Sequence, residues 1–257
     1  MRIRLISDVH QEAYHDAPEY LAVMDPALSD VVVVAGDYVQ VSHRAYADEA
    51  VRALCEHFRD QTVIWVPGNH EYWGSTLDET SERLDEYGDR YDNLVMMSEP
   101  TTYSDLATDV TFVGATGWYK DTGDYRWSDF SHISDLRSRL DSLHKQDARW
   151  LVKELKESTG FSEQSVEFGD IRRKVVAVSH MLPSVFCVAP MWAGDPCNKF
   201  FVTDFHDLIL DTQPDAWLYG HTHEHVDVRI GKTRCVSAPR GYPHEKNETP
   251  FGIIVEV

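Results

Sequence analysis

Short β-branched runs alternate with polar stretches of helical period along the first third of the chain. Arg2 to Ser7 alternates weakly between apolar and polar positions and reads as a strand. Glu19 to Leu28 carries Leu21, Val23, Met24 and Leu28 at helical spacing. Val31-Val32-Val33-Val34-Ala35 is the continuous run of a strand buried on both faces. Asp48 to Arg59 places Ala50, Val51, Ala53, Leu54 and Phe58 on one helical face, with His57 beside them as a structural or surface histidine. Val63 to Val66 is a third β run, and Ser75 predicts the N-cap of a helix ending near Tyr87-Gly88. Strand, helix, strand, helix, strand, helix is the order of an α/β protein.

The texture changes at Leu94. Short β-like runs at Leu94 to Met97 and Val110 to Gly114 are joined by polar turns, which predicts a sheet with antiparallel portions. Gly117 to Asp135 is a long aromatic loop, of the kind that either borders a binding site or caps a core. Asp141 to Leu155 reads as a helix and 161–173 as a charged excursion. Lys174 to Ser179 is another buried strand, and Met181 to Phe201 a Pro- and Gly-rich loop. A helix at Phe205 to Leu210, capped by Thr203, precedes the strand Ala216 to Tyr219. Val226 to Ile230 and Arg234 to Ser237 form a hairpin around Gly231-Lys232, and Phe251 to Val257 a closing strand. No repeat or low-complexity linker divides residues 1–257, so the expectation is a single domain.

Bulk properties narrow the function. Hydrophobic residues make up 42% of the 257, enough for a substantial core. A formal net charge of -19 repels polyanions, so neither long nucleic acid nor an anionic membrane is expected as a partner. A small phosphorylated substrate stays compatible, because bound cations invert the field locally. Met1 to Ser7 is too short and too charged for a secretory signal, and no apolar run reaches the roughly 20 residues of a membrane span. Cys55, Cys187, Cys197 and Cys235 lack any Cys-x-x-Cys spacing and read as reduced thiols of a cytoplasmic protein, a Cys187–Cys197 pair across the loop being the lesser alternative. Oligomeric state leaves no mark on the sequence.

Polar clusters fall just past five of the β runs: Asp8/His10, Asp37, Asn69/His70, His180 and His221/His223. Strand ends that break into loops are where α/β proteins place their chemistry. A carboxylate such as Asp37, at the exit of a fully buried strand, is costly unless paired or metal-bound. Carboxylate, amide oxygen and imidazole without thiolate suit divalent first-row metals: Mn first, with Fe, Zn, Co or Ni accepted by the same donors. Seven ligands exceed the need of one tetrahedral ion and match a binuclear centre sharing one carboxylate. Two cations roughly 3.5–4 Å apart clamp both oxygens of an in-line displacement at phosphorus.

Asp8-Val9-His10, Gly36-Asp37, Gly68-Asn69-His70-Glu71, His180 and Gly220-His221-Thr222-His223 occur in the order found in the calcineurin-like metallophosphoesterase superfamily, which the chain clearly resembles. The resemblance implies a four-layer α/β/β/α sandwich, two mixed sheets flanked by helices. It puts Asp8, His10 and His223 on a first metal, Asn69, His180 and His221 on a second, and Asp37 on both. It gives His70 the leaving oxygen, with a metal-bridging hydroxide as nucleophile. Gly36-Asp37 runs on to Tyr38-Val39-Gln40 rather than the Asp-Arg-Gly of phosphoprotein phosphatases, and Met181 replaces the second imidazole of many relatives. Gly117-Trp118, Asp129-Phe130, Trp150-Leu151 and Arg240-Gly241-Tyr242 look similar to bacterial and phage phosphohydrolases of unassigned substrate. On that likeness Trp73, Trp118 and Tyr119 are expected to line a leaving-group pocket and Arg240 to contact phosphate. The expected activity is hydrolysis of a small phosphodiester or phosphomonoester. A nuclease or cyclic-dinucleotide phosphodiesterase, and a non-catalytic scaffold of the same fold, are the alternatives.

Overall fold

The computed structural model describes residues 1–160, 173–247 and 249–257. The first sheet is built from β1 (Arg2–Ile6), β2 (Val31–Ala35), β3 (Thr62–Val66) and β4 (Leu94–Met96), all parallel, with the last strand, Ile253–Glu256, antiparallel on the β1 edge. The second contains β5 (Thr101–Asp105), β6 (Val110–Gly114), β7 (Lys174–Val178), β8 (Ala216–Tyr219), β9 (Val226–Ile230) and β10 (Thr233–Ser237) in the order β5-β6-β7-β8-β10-β9. Its inner strands are parallel and its two edges antiparallel, so both sheets are mixed.

The side-chain period of two sorts the strand residues into layers. Ile3, Leu5, Val31, Val33 and Ile64 turn inward against Phe112, Val176, Val178, Leu218 and Val236 of the other sheet. Their neighbours Ile6, Val32, Val34, Val63 and Trp65 turn outward under α2 (Ala17–Ala22), α3 (Arg44–His57) and α4 (Leu77–Arg90), beyond a short turn of helix, α1 (Gln11–Tyr14). On the far side Val175, Ala177, Trp217 and Tyr219 lie under α6 (Leu136–Ser158), preceded by α5 (Asp129–His132), and α7 (His206–Thr212). Two mixed sheets between helical layers are the sandwich the motifs implied.

Several details differ from expectation: helix α3 begins at Arg44 rather than Asp48, and Thr203 does not cap α7 but donates to the Gly117 carbonyl. The helix expected at Glu19 to Leu28 stops at Ala22, and Pro26 opens a separate 3-10 turn, leaving Val23 and Leu28 exposed. Thr76, not Ser75, caps α4 by accepting from the Glu79 N–H, and the helix runs through Gly88 to Arg90. Gly88 fits there because a Cβ would press on Met96 of β4 at 3.1 Å. Strand β5 was hidden by its polarity: Thr101-Thr102-Tyr103-Ser104-Asp105 is an edge strand alternating between half-buried and exposed. Helix α6 begins at Leu136 rather than Asp141. The charged excursion expected at 161–173 lies outside the described residues except for Arg173.

The sheets are joined at one end. Ser7 N–H donates to the Ala238 carbonyl, Arg240 N–H to Ser7 and Gly241 N–H to Asp8, so the exits of β1 and β10 are locked together. The five polar clusters gather at that end.

Candidate metal centre

Four site residues leave their strands in the left-handed backbone region: Asp8 (φ 50), His10 (φ 49), Asp37 (φ 54) and His221 (φ 64). Non-glycine residues enter that region at a cost of about 1 kcal/mol or more, and stay only when surrounding contacts fix them. Here those contacts are explicit. Asp8 N–H donates to Gly36 O (3.0 Å) and His10 N–H to Asp37 O (2.9 Å). His221 N–H donates to Asp8 Oδ1 (2.8 Å) and His70 N–H to Asp37 Oδ1 (2.8 Å). Gly36 and Gly68 are required by close approach, since a Cβ at either would overlap the His180 ring.

The donors form three overlapping groups, Asp8/His10/His223, His10/Asp37/His70 and Asp37/His180/His221, each with ligand atoms within 4.8 Å of one another. Tautomers follow from the outer partners. His10 Nδ1 sits 3.0 Å from the Glu12 carboxylate and His223 Nδ1 2.7 Å from Glu245, so both rings present bare Nε2 atoms, 3.0 Å apart. His180 Nδ1 donates to the Ala35 carbonyl (2.9 Å), aiming Nε2 at Asn69 Oδ1 (3.0 Å) and Asp37 Oδ2 (3.3 Å). Asn69 cannot turn its donor inward, because Nδ2 is held by Asp129 Oδ1 (2.8 Å). His221 Nε2 faces the Phe200 carbonyl (3.1 Å), leaving Nδ1 for the centre. Asp8 Oδ2 is buried without a hydrogen-bond partner among the described residues. Acceptors packed against acceptors repel unless a proton or cation lies between them, and nitrogen and oxygen donors without thiolate fit first-row divalent cations. The residues therefore fit metal.

The charges are strongly coupled. Burial alone would drive His180 toward neutrality, but Asp37 outweighs it and lifts the ring to about 9. Burial likewise opposes ionisation of Asp37, yet His180 and His70 hold it well below the carboxylate range. His10 and His221 are pushed down by burial and by the neighbouring His70 and His180 respectively. A cation bound at His180 must displace its proton.

Several carboxylates escape a reading of the sequence. Glu71 is fully buried and accepts from the N–H groups of Gly68 (2.6 Å), Tyr38 (2.6 Å), Asp37 (2.9 Å) and Val39 (3.3 Å), tying the exits of β2 and β3 together. Burial and Asp37 push it up to about 7. Glu12 spans His10 and His70, accepting from His70 Nδ1 at 3.2 Å; despite its burial the two imidazoles hold it down at about 2. Asp129 accepts from Asn69, from Trp73 Nε1 (2.9 Å) and from the Tyr119 hydroxyl (3.1 Å). The only local signals were Glu12 two residues after His10 and Glu71 directly after His70.

His70 stands at the edge of the cluster. Its ring stacks on Trp73 with centroids 3.6 Å apart, and the Tyr242 hydroxyl lies 3.2 Å from its Nε2. Both His70 and Trp73 line a cavity of about 420 Å³ that opens from the centre. The other three substrate expectations are corrected. Trp118 and Tyr119 are buried in the core, Trp118 beside Tyr72 and Tyr119 against Phe130 and Phe200, and do not line the cavity; the Gly117 and Trp118 N–H groups are pinned by Asp147 of α6 (2.8 and 3.2 Å). Arg240 gives its guanidinium to Asp16 (2.9 and 2.7 Å) and lies over the Tyr14 and Tyr20 rings, directed away from the cavity. From the aromatic loop, Trp127 and Ser128 reach the cavity instead. His57 and His144 bind main-chain carbonyls, of Met24 and Trp118, and serve structure.

The family model for calcineurin-like phosphoesterases matches residues 1–225, and the chain belongs to that family. It is thus a hydrolase acting on phosphate esters in a metal-dependent family. Uncharacterized protein L509 of Acanthamoeba polyphaga mimivirus is 25% identical over 210 residues, covering 75% of this chain and 72% of its own length. Phosphopantetheinyl hydrolase (PptH) of Mycobacterium tuberculosis shares the fold, with a TM-score of 0.59 and 18% identity over 98% of this chain and 95% of that one. GAP50, described as the anchor in the inner membrane complex of Plasmodium, does so with a TM-score of 0.55 and 13% identity, over 97% and 76% of the two chains. At such identities the likeness is one of fold. No helix among the described residues is long and apolar enough to cross a membrane.

Proposed function

We propose that this chain, acting as one domain, hydrolyses a small phosphodiester or phosphomonoester at a pair of divalent cations. Asp8, His10 and His223 would hold one, Asn69, His180 and His221 the other, and Asp37 both. The carrying observation is the convergence of atoms able to ligate: His10 Nε2 and His223 Nε2 at 3.0 Å, and His180 Nε2 and Asn69 Oδ1 at 3.0 Å, with Asp37 Oδ2 between the pairs at 3.9 Å from His10 and 3.3 Å from His180. Mn is the favoured ion, with Fe, Zn, Co or Ni compatible. Such cations supply Lewis-acid polarisation of a phosphoryl oxygen and acidification of water.

The protein's own contribution centres on His70. Glu12 holds its Nδ1 and Trp73 fixes the ring plane, so Nε2, which the Tyr242 hydroxyl reaches at 3.2 Å, is the atom that would meet the leaving oxygen in that hydroxyl's place. Burial lowers the basicity of His70, but Asp37 and Glu12 raise it further, keeping a proton available to the departing alcohol near neutral pH. A diester is favoured over a monoester, since one imidazole acid and neutralising cations suit a singly charged phosphate with a poor leaving group. The free cysteines, three of them buried, support a reducing cytoplasmic setting.

Turnover of bis-p-nitrophenyl phosphate and p-nitrophenyl phosphate by chelated protein reconstituted with Mn tests this reading. Metal-dependent hydrolysis, faster on the diester and reduced more in rate than in metal content by His70→Ala, is expected. Equal turnover in the presence of chelator would refute it.

A further inference from the structure

Resting on that reading, the shape and charge of the cavity bear on what the phosphate carries. The cavity's floor is the ligand cluster and His70, and its walls are apolar and aromatic: Trp73, Trp127, Leu182, Val188, Trp192 and Phe201. Trp127 meets Phe201 edge to face, with centroids 5.3 Å apart, so the two rings brace each other. Trp192 stands at the mouth, 48% exposed, on a 3-10 turn of the segment after β7. An indole so exposed beside a preformed concavity is surface available for stacking.

The lining includes no lysine or arginine. Three basic groups beside lining residues in the chain or the fold are paired elsewhere: Lys199 Nζ donates to Asp124 (2.7 Å), Arg126 pairs with the same carboxylate (2.8 Å), and Arg240 is held by Asp16. Lys246, next to Glu245, is exposed and does not line the cavity. Asp195, Glu224 and Glu245 add carboxylates to the rim. A second phosphate or a carboxylate reaching past the two proposed cations would meet the rim carboxylates, with no lysine or arginine among the described lining residues to receive it. An uncharged aromatic or apolar substituent would instead displace water from the walls.

We propose that the substrates are phosphoesters in which the phosphate's second substituent is a bulky aromatic or apolar group carrying no further negative charge. Trp192 and Trp127 select that group, and the rim carboxylates exclude anionic alternatives. Polyphosphorylated nucleotides and oligonucleotides are accordingly rejected by the site itself, in addition to the repulsion of the chain's overall charge.

Three chromogenic diesters sharing the p-nitrophenolate leaving group isolate this choice: methyl, phenyl and 4-carboxyphenyl p-nitrophenyl phosphate. With the Mn-loaded full chain, kcat/KM is expected to be roughly tenfold or more higher for phenyl than for methyl, and to fall roughly tenfold from phenyl to 4-carboxyphenyl. Trp192→Ala, at an exposed position, is expected to shrink the phenyl-to-methyl ratio severalfold, while Glu224→Gln narrows the penalty on the carboxylate. Calorimetric titration with methyl-, phenyl- and 4-carboxyphenylphosphonate reads the same order without turnover. An inactive protein that ranks the phosphonates this way would lose the hydrolase reading and keep the selectivity. Equal affinities and rates for methyl and phenyl, or a preference for the carboxylated compounds, would overturn the proposal whether or not the protein turns over.

Discussion

The ligand cluster and the cavity wall sit side by side but are built in opposite ways. Every proposed ligand of the cluster stands within a few residues of a strand end; main-chain hydrogen bonds fix Asp8, His10 and His180, and Glu71 holds four N–H groups at once, that of Asp37 among them. The wall is framed by local turns and one isolated bridge rather than by sheet ends, with Leu182 N–H donating to the Phe201 carbonyl (3.0 Å). Trp192 lies on a 3-10 turn between β7 and α7, Val188 and Phe201 directly follow two others, Leu182 precedes them in an isolated bridge to Val202, and Trp127 comes from an irregular stretch before α5. Sheet ends hold atoms to the tolerance that metal chemistry needs, whereas turns can vary in sequence without disturbing that frame. The difference teaches that reaction and selectivity are separable here: altering the frame should remove the chemistry, and altering the wall should redirect it.

Substitutions that loosen the frame without deleting a ligand break this comparison most severely. Glu12→Gln removes the charge that fixes the Nδ1 protons of both His10 and His70; a loss of about 100-fold in kcat is expected. Because Glu12 raises the basicity of His70, the alkaline limb of the kcat profile should move to lower pH in the variant. An unmoved limb would show that His70 is not the acid. Asp129→Asn has a smaller reach. It cannot accept all three of the hydrogen bonds that hold Asn69, Trp73 and Tyr119, and one cation should bind roughly 10-fold more weakly by competition with a chelating dye.

Asp147 sharpens the comparison from outside the site. Burial pushes its carboxyl up to about 7, opposed by the N–H groups of Gly117 and Trp118. A raised folded-state value stabilises the protein fully below the unfolded value near pH 4, and that stability is lost as pH rises through 7. The loss is at most about 4 kcal/mol. Asp147→Asn keeps an acceptor and does not titrate, so its melting temperature should change less between pH 5 and 8 than the wild type's, by a few degrees. Parallel melting curves for the two proteins would contradict the assignment.

The proposed ligands stand out in the sequence because each falls at a strand exit, all but His180 in a motif of two to four residues, and a buried strand announces itself by its β-branched run. Their supports do not. Asp129 lies 60 positions from Asn69 and Glu245 22 positions from His223, so no local spacing links them. Trp118, Tyr119 and Arg240 were misplaced for the same reason. An aromatic pair after a glycine reads alike whether it faces a cavity or a core, and only Asp147, 30 positions away, turns it inward. Arg240 is claimed by Asp16, 224 positions earlier in the chain. In the fold, polarity concealed β5 and Pro26 shortened α2, one a surface edge and the other a local break that the apolar spacing overrode.

The claim that Asp37 is shared by two cations is tested most directly by counting metal. Chelated protein should be titrated with Mn by calorimetry, and bound Mn measured after desalting, for the wild type and Asp37→Ala. Two ions per chain in the wild type, no more than one tightly held in the variant, and turnover lost by three orders of magnitude or so is the expected result. One ion in both proteins, or two in Asp37→Ala with activity intact, would contradict the binuclear account.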